Sequence, residues 1–271
     1  MPAMPNLRSV ALAAFLPAVL GAQAPARNSA EEVVWSFEHF ADIFGSRLVA
    51  AFDSIPASRY DYRPTPSQQS IGYIAQHVEQ ANYGLCAQFS DLKYAKTGKD
   101  ALPDTVKARW PKDTLVARLK ASLQFCDTAL EHVGRLESGE VASRLLAFET
   151  DLAEHYSQLS SYMRALGMVP PSALPTKKRT AIDLPASALS PLVGVYQIAH
   201  GPQLVVTMRG ADLFVQSSGG GDTVRLWPES RDEFFVNEVD AQIAVIRDAS
   251  GRATALVLHQ LGRDRTAPRI R

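Results

Sequence analysis

Hydrophobic positions along the chain follow two periods, which meet near residue 170. Upstream, Val33, Val34, Phe37, Phe40, Ala41, Phe44, Leu48 and Phe52 recur at helical spacing and predict a first helix ending before Ile55-Pro56. Ser29-Ala30-Glu31-Glu32 has capping-box spacing at its start. Tyr60, Tyr62, Pro64 and Pro66 mark a loop, because proline removes an amide donor that a helix interior needs. A second helix is predicted from about Ser70 to Phe89, with Ile71, Ile74, Ala75, Val78, Ala81 and Leu85 on one side. Residues 93–112 carry Gly98, Pro103 and Pro111 and read as a long connection. Asp113 is expected to cap a third helix with the stripe Leu115, Val116, Leu119, Leu123, Cys126 and Leu130, ending near Gly134. A fourth starts around Ser138-Gly139-Glu140 and reaches Gly167, a natural C-cap ahead of Pro170-Pro171.

Downstream the period becomes two. Val193 and Val195, Leu204 to Met208, Leu213 and Val215, Ile243 and Val245, and Leu256 and Leu258 alternate, with turn signals between them. This predicts a small antiparallel β-barrel or half-barrel of six to eight strands. The expected fold class is therefore α+β with two domains: a four-helix bundle over 25–170, a linker over 171–187 and a β-domain over 188–271.

Composition narrows the function classes. The chain has 271 residues with 28 basic and 28 acidic side chains, so it lacks the basic surplus of a nucleic-acid binder. Lys177-Lys178-Arg179 falls in the linker and reads as a solvated spacer. Ahead of the first helix, Arg8, the apolar run Val10 to Leu20 and Ala22-Gln23-Ala24 have the form of a signal peptide over 1–24. That run falls short of the roughly 20 apolar residues a membrane helix needs. The mature protein is expected to be exported, in the periplasm, with no membrane span. In such a compartment Cys86 and Cys126 could pair, or serve as two small buried apolar residues.

Asp151 and His155 stand four apart on the fourth helix, so both leave the same face one turn apart. A carboxylate and an imidazole at that spacing can converge on one ion, and His77 on the second helix is the candidate third ligand. Two histidines and a carboxylate form a facial set that leaves coordination positions open. The plain alternatives are a helix-surface hydrogen bond for the pair and a core histidine for His77. His39, His132, His200 and His259 receive no role, although His132 suits a helix C-terminus. Glu154 points about 100° away around the helix, and Glu149 reads as undistinguished. No G-x-S-x-G, H-E-x-x-H or C-x-x-C motif occurs, and Ser218-Gly219-Gly220-Gly221 reads as a hairpin loop.

Three stretches of the helical part resemble the DinB-like superfamily of four-helix-bundle metal proteins: Ile55-Pro56-Ala57 with Tyr60 to Thr65, Ile74 to Val78 with Ala81-Asn82-Tyr83, and His155 to Leu159 running on to Pro171. The resemblance implies a divalent ion, zinc or nickel among others, with His77 and His155 as ligands. Asp151 stands where the family usually has its other histidine. Thiol transferases and metal-dependent hydrolases both occur in that superfamily, and export favours hydrolysis by a metal-bound water. Leu192 to Tyr196, Phe234-Phe235, Asp248 to Arg252 and Val257 to Gln260 resemble the lipocalin-like β-domain of exported β-lactamase-like hydrolases. Its barrel is expected to have a core filled by side chains. The expected partners are a small-molecule substrate and, as an oligomer, a second copy in a homodimer. The competing expectations are a non-catalytic binding or scaffold protein with a degenerate metal site, and a β-domain that itself holds a small ligand.

Overall fold

The computed structural model describes residues 29–133, 139–175, 177–199 and 201–271. The segment read as a signal peptide, Gly134, Ser138 and His200 lie outside them, as do the acidic side chains of the capping box.

Helices α1 (Ser29–Ser54), α2 (Ile71–Phe89), α4 (Lys112–Glu131) and α5 (Gly139–Ala165) form the bundle. Their apolar stripes meet in one core that includes Leu48, Phe52, Ile74, Leu119, Phe148 and Leu152, all sealed from solvent. Ser70 caps α2 by accepting from the Tyr73 amide at 3.2 Å. Helix α4 begins one residue ahead of Asp113, with Pro111 at the cap position, so Asp113 sits in the first turn, where an acidic side chain favours the helix dipole. Gly167 ends α5 at φ +73, a conformation that costs a side chain with a Cβ. Cys86 and Cys126 are joined in a disulfide that ties α2 to α4.

The connection at 93–112 is more ordered than its composition suggests. It contains a short helix, α3 (Asp104–Lys107), and buries both Asp100 and Lys107. Arg118 of α4 pairs with Asp100 and, at 2.8 Å, with Glu79 of α2. Lys107 donates to Gln80 at 2.6 Å and pairs with Asp104 at 2.9 Å. Charges hold this segment in place, which an apolar period does not register. After the bundle a further short helix, α6 (Ala186–Leu189), leads into the β-domain.

Eight strands follow in sequence order, each antiparallel to the next: β1 (Gly194–Gln197), β2 (Gln203–Arg209), β3 (Asp212–Ser217), β4 (Val224–Pro228), β5 (Glu233–Val236), β6 (Ala241–Arg247), β7 (Ala253–Gln260) and β8 (Arg263–Pro268). A bridge between Tyr196 and Arg269, with Val195 amide and carbonyl bonds to Arg271 and Ile270, nearly closes the sheet into a barrel. In β1 the buried position is Tyr196, one residue out of step with the expected Val193/Val195 alternation. His259 lies on β7. β8 opens with three charged residues, Arg263-Asp264-Arg265, and has no apolar alternation to announce it.

The two domains meet along α1 and β8. The buried Asp42 carboxylate receives Arg263 at 2.5 Å and also Arg265. Arg263 pairs in addition with Asp127 of α4, and the Arg265 guanidinium lies 4.9 Å from the centre of the Trp35 ring. Beside this contact a cleft of about 650 Å³ opens between Val33, Trp35 and Phe40 of α1 and Leu204, Val215 and Ile243 of the barrel. Leu192, Tyr196, Leu213, Leu226, Phe234 and Leu256 pack the barrel core, and the cleft lies at the end that α1 covers. Among the described residues, no helix is long and apolar enough to cross a membrane.

Candidate metal centre

Helix α2 presents His77 beside its buried face, and α5 presents Asp151 and His155 one turn apart toward it. The fold brings the three together: one donor atom from each lies within 4.8 Å of the others. His155 Nε2 is 3.4 Å from Asp151 Oδ1, and the His77 and His155 rings stand edge to face with centroids 4.8 Å apart. All three side chains are half-buried. Tyr73, one turn before His77, stacks against its ring at 6.3 Å.

Neighbouring residues set the chemistry of these donors. The His155 Nδ1 lies 3.3 Å from Gln158 Oε1. An amide oxygen only accepts, so Nδ1 carries the hydrogen and Nε2 faces Asp151 and His77. Gln158 is oriented in turn, because its Nε2 donates to the Tyr162 hydroxyl, which donates to the Gln69 carbonyl at 3.1 Å. Burial lowers the His77 pKa, and the neighbouring His155 lowers it further, so its ring is neutral at physiological pH. Burial would also lower that of His155, but the hydrogen bond and charge of Asp151 outweigh it and raise the pKa. Asp151 Oδ2 is buried without a hydrogen-bond partner. An orphaned carboxylate oxygen beside two imidazole nitrogens is a donor set that suits a divalent ion such as zinc.

Two features escaped the sequence reading. The Gln158–Tyr162 support lies at i+3 and i+7 from His155, a spacing that would have shown it. Glu149 is not the undistinguished helix residue expected: it is only 8% exposed, and neither carboxylate oxygen has a partner. Burial, reinforced by Asp42, pushes its pKa up to about 8. Its place four residues after Leu145 and three before Leu152 is the available signal, since both neighbours belong to the core. Glu154 is exposed, as its helical angle implies. His132 closes α4 with Nδ1 2.7 Å from the Thr128 carbonyl. His259 Nδ1 lies 2.6 Å from Asp264, and His39 lines the cleft at the barrel mouth.

No curated protein matches the chain. Among solved structures it is similar to the crystal structure of SurE with D-Leu, at 21% identity and a TM-score of 0.29. That likeness covers 45% of this chain and 28% of the other, so the chain spans less than a third of that protein, and nothing about this fold or its chemistry follows from it. Residues 178–268, which include the whole barrel, match a family described as a domain of unknown function, DUF3471.

Proposed function

We propose that this is an exported, divalent-metal-binding protein of the DinB-like type, a metal-dependent hydrolase acting on a small molecule. His77, Asp151 and His155 are its ligands, and zinc or nickel is its ion. The observation that carries the reading is the convergence of three donor atoms, one of them an orphaned buried carboxylate oxygen, from two bundle helices. Its support from the sequence is the resemblance of residues 29–171 to that superfamily and the signal-peptide form of residues 1–24.

A divalent ion held there would supply Lewis acidity, lowering the pKa of a water ligand toward neutrality. The chain's own part is to present the donors. Gln158 fixes the His155 tautomer, Tyr73 stacks on His77, and the half-buried setting keeps bulk water from competing. The test is elemental analysis of the purified, periplasmically expressed protein beside a His155→Ala variant. About one equivalent in the wild type and none in the variant is expected. A wild type that stays empty after zinc and nickel are offered rules out the metal-dependent reading and leaves the scaffold reading.

The cleft of about 650 Å³ at the barrel mouth favours a second reading, in which the β-domain holds a small apolar ligand. Binding that survives loss of all three candidate ligands would separate the two.

A further inference from the structure

The cleft between α1 and the barrel has a lining that selects among ligands. Its walls are apolar on both sides: Val33, Trp35 and Phe40 come from α1, and Leu204, Val215 and Ile243 from the barrel. At about 650 Å³ it has the size of a small-molecule site. Trp35 is fixed there, since it packs against the barrel core and the Arg265 guanidinium lies 4.9 Å from its ring centre. A Cβ at Gly201 would lie 2.8 Å from that ring, so the turn after β1 closes on it without room to spare.

The polar groups set into these walls are mostly uncharged. His39 of α1 and Gln260 of β7 line the cleft half-buried, and among the described residues neither side chain has a hydrogen-bond partner. Burial lowers the His39 pKa, and the positive charge of Arg265 lowers it further, outweighing Asp42, so the ring is neutral at physiological pH. A neutral imidazole offers one N–H donor and one acceptor nitrogen, the complement of a hydroxyl group. Among the described residues the lining holds one carboxylate, Asp222, which is exposed and repels an anion. Exposed, it offers a cation little in return. The basic pair Lys177 and Lys178 lines a separate pocket of about 210 Å³, which shares only Val236 and Val239 with the cleft. An ion entering here would give up its hydration without meeting a buried counter-charge.

We propose that this interdomain cleft binds an uncharged apolar molecule with a hydroxyl head, its body between α1 and the barrel and its head bonded to His39. This rests on the reading of the cleft as a small-ligand site and adds the charge and head group of the ligand. His77, Asp151 and His155 take no part in it.

The test is displacement of the neutral dye N-phenyl-1-naphthylamine from the full chain, near neutral pH, by 1-decanol, decanoate and decylamine, which share a chain and differ in the head. Decanol is expected to displace the dye at a concentration roughly tenfold or more below that of either ion. His39→Phe keeps an aromatic ring without its nitrogens, and should weaken decanol about tenfold and narrow its lead over the ions. Val33→Trp fills the cleft from the surface of α1 and should weaken dye and decanol alike, with circular dichroism showing both variants folded. Dye binding that Val33→Trp blocks, with the three heads equal or an ion ahead, overturns the proposal and leaves the cleft a small-ligand site. A lead for decanol that is undiminished in His39→Phe overturns it in the same way. Dye binding that survives Val33→Trp, or no binding by folded protein, overturns it together with the reading of the cleft.

Discussion

Glu149 and Gln158 lie nine residues apart on one helix and face opposite consequences of burial. The Glu149 carboxyl is held protonated in the folded chain to about pH 8, whereas in the unfolded chain it ionises near its ordinary value of 4.5. The folded state therefore binds the extra proton between these values, and stability falls as pH rises through that window. Glu149→Gln removes the penalty. It should leave the urea midpoint nearly unchanged at pH 4 and raise stability at pH 8.5 by up to a few kcal/mol. An equal effect at both values would show that the carboxyl is not buried as described. Gln158 is a positioning residue, since it acts on the three converging donors only through His155. Gln158→Leu is expected to weaken zinc binding about 10–100-fold in competition with a chelator, whereas Gln158→Glu should retain most of it. At this scale the sequence was partly legible. Spacing picked out Asp151 and His155 because helix geometry alone places them together. The burial of Glu149 depends on α1 packing across α5, which no local pattern encodes.

The bundle helices were legible as elements because a core-facing stripe has to repeat at 3.6 residues, and their starts and ends followed prolines and Gly167. The segment at 93–112 and strand β8 were not, because ion pairs hold both and an apolar period does not register charge. Alternation placed β2, β3, β6 and β7, but missed the short β4 and β5, whose buried positions include Pro228 and three consecutive residues, Phe234 to Val236. The composition left the pairing of Cys86 and Cys126 open, and only the approach of α2 to α4 decides it. That bond encloses a span of 40 residues, so its reduction should cost about 3–4 kcal/mol in the chain-entropy picture. Thermal melts with and without reductant, beside a Cys86→Ala/Cys126→Ala double variant, measure it. Close packing at the start of α2 predicts a second effect. A Cβ at Gly72 would lie 2.2 Å from the Ala108 carbonyl oxygen, so Gly72→Ala must displace backbone. It should destabilise by about 2 kcal/mol or more, read from urea unfolding.

At the scale of the molecule, the bundle and barrel are joined by charge as well as by the apolar contact of Trp35 with the barrel core. Asp42 carries two arginines of β8, and Arg263 reaches Asp127 as well, so three helix- and strand-borne elements share one network. Removing the central partner leaves two guanidinium groups without their common carboxylate. Asp42→Ala should therefore destabilise by about 3–5 kcal/mol, and replacing only an exposed pair such as Lys120–Asp53 should cost less than 1. Differential scanning calorimetry of both variants reads the contrast, and separation of one transition into two would show the domains uncoupled. The sequence divided the chain correctly into helical and β-parts. It could not show that the last strand faces the first helix, because that contact joins residues more than 200 positions apart.

The order of the sheet has a consequence in time. Each strand from β1 to β8 pairs with the one made just before it, without a Greek-key crossover. The barrel can therefore grow one hairpin at a time, each step closing only a short loop. Long-range loop entropy enters once, when β8 returns to β1 through Tyr196 and Arg269. Local pairings of this kind fold faster than non-local ones of equal stability. The same late step that closes the sheet also delivers Arg263 and Arg265 to Asp42, so barrel closure and domain docking should share one kinetic phase.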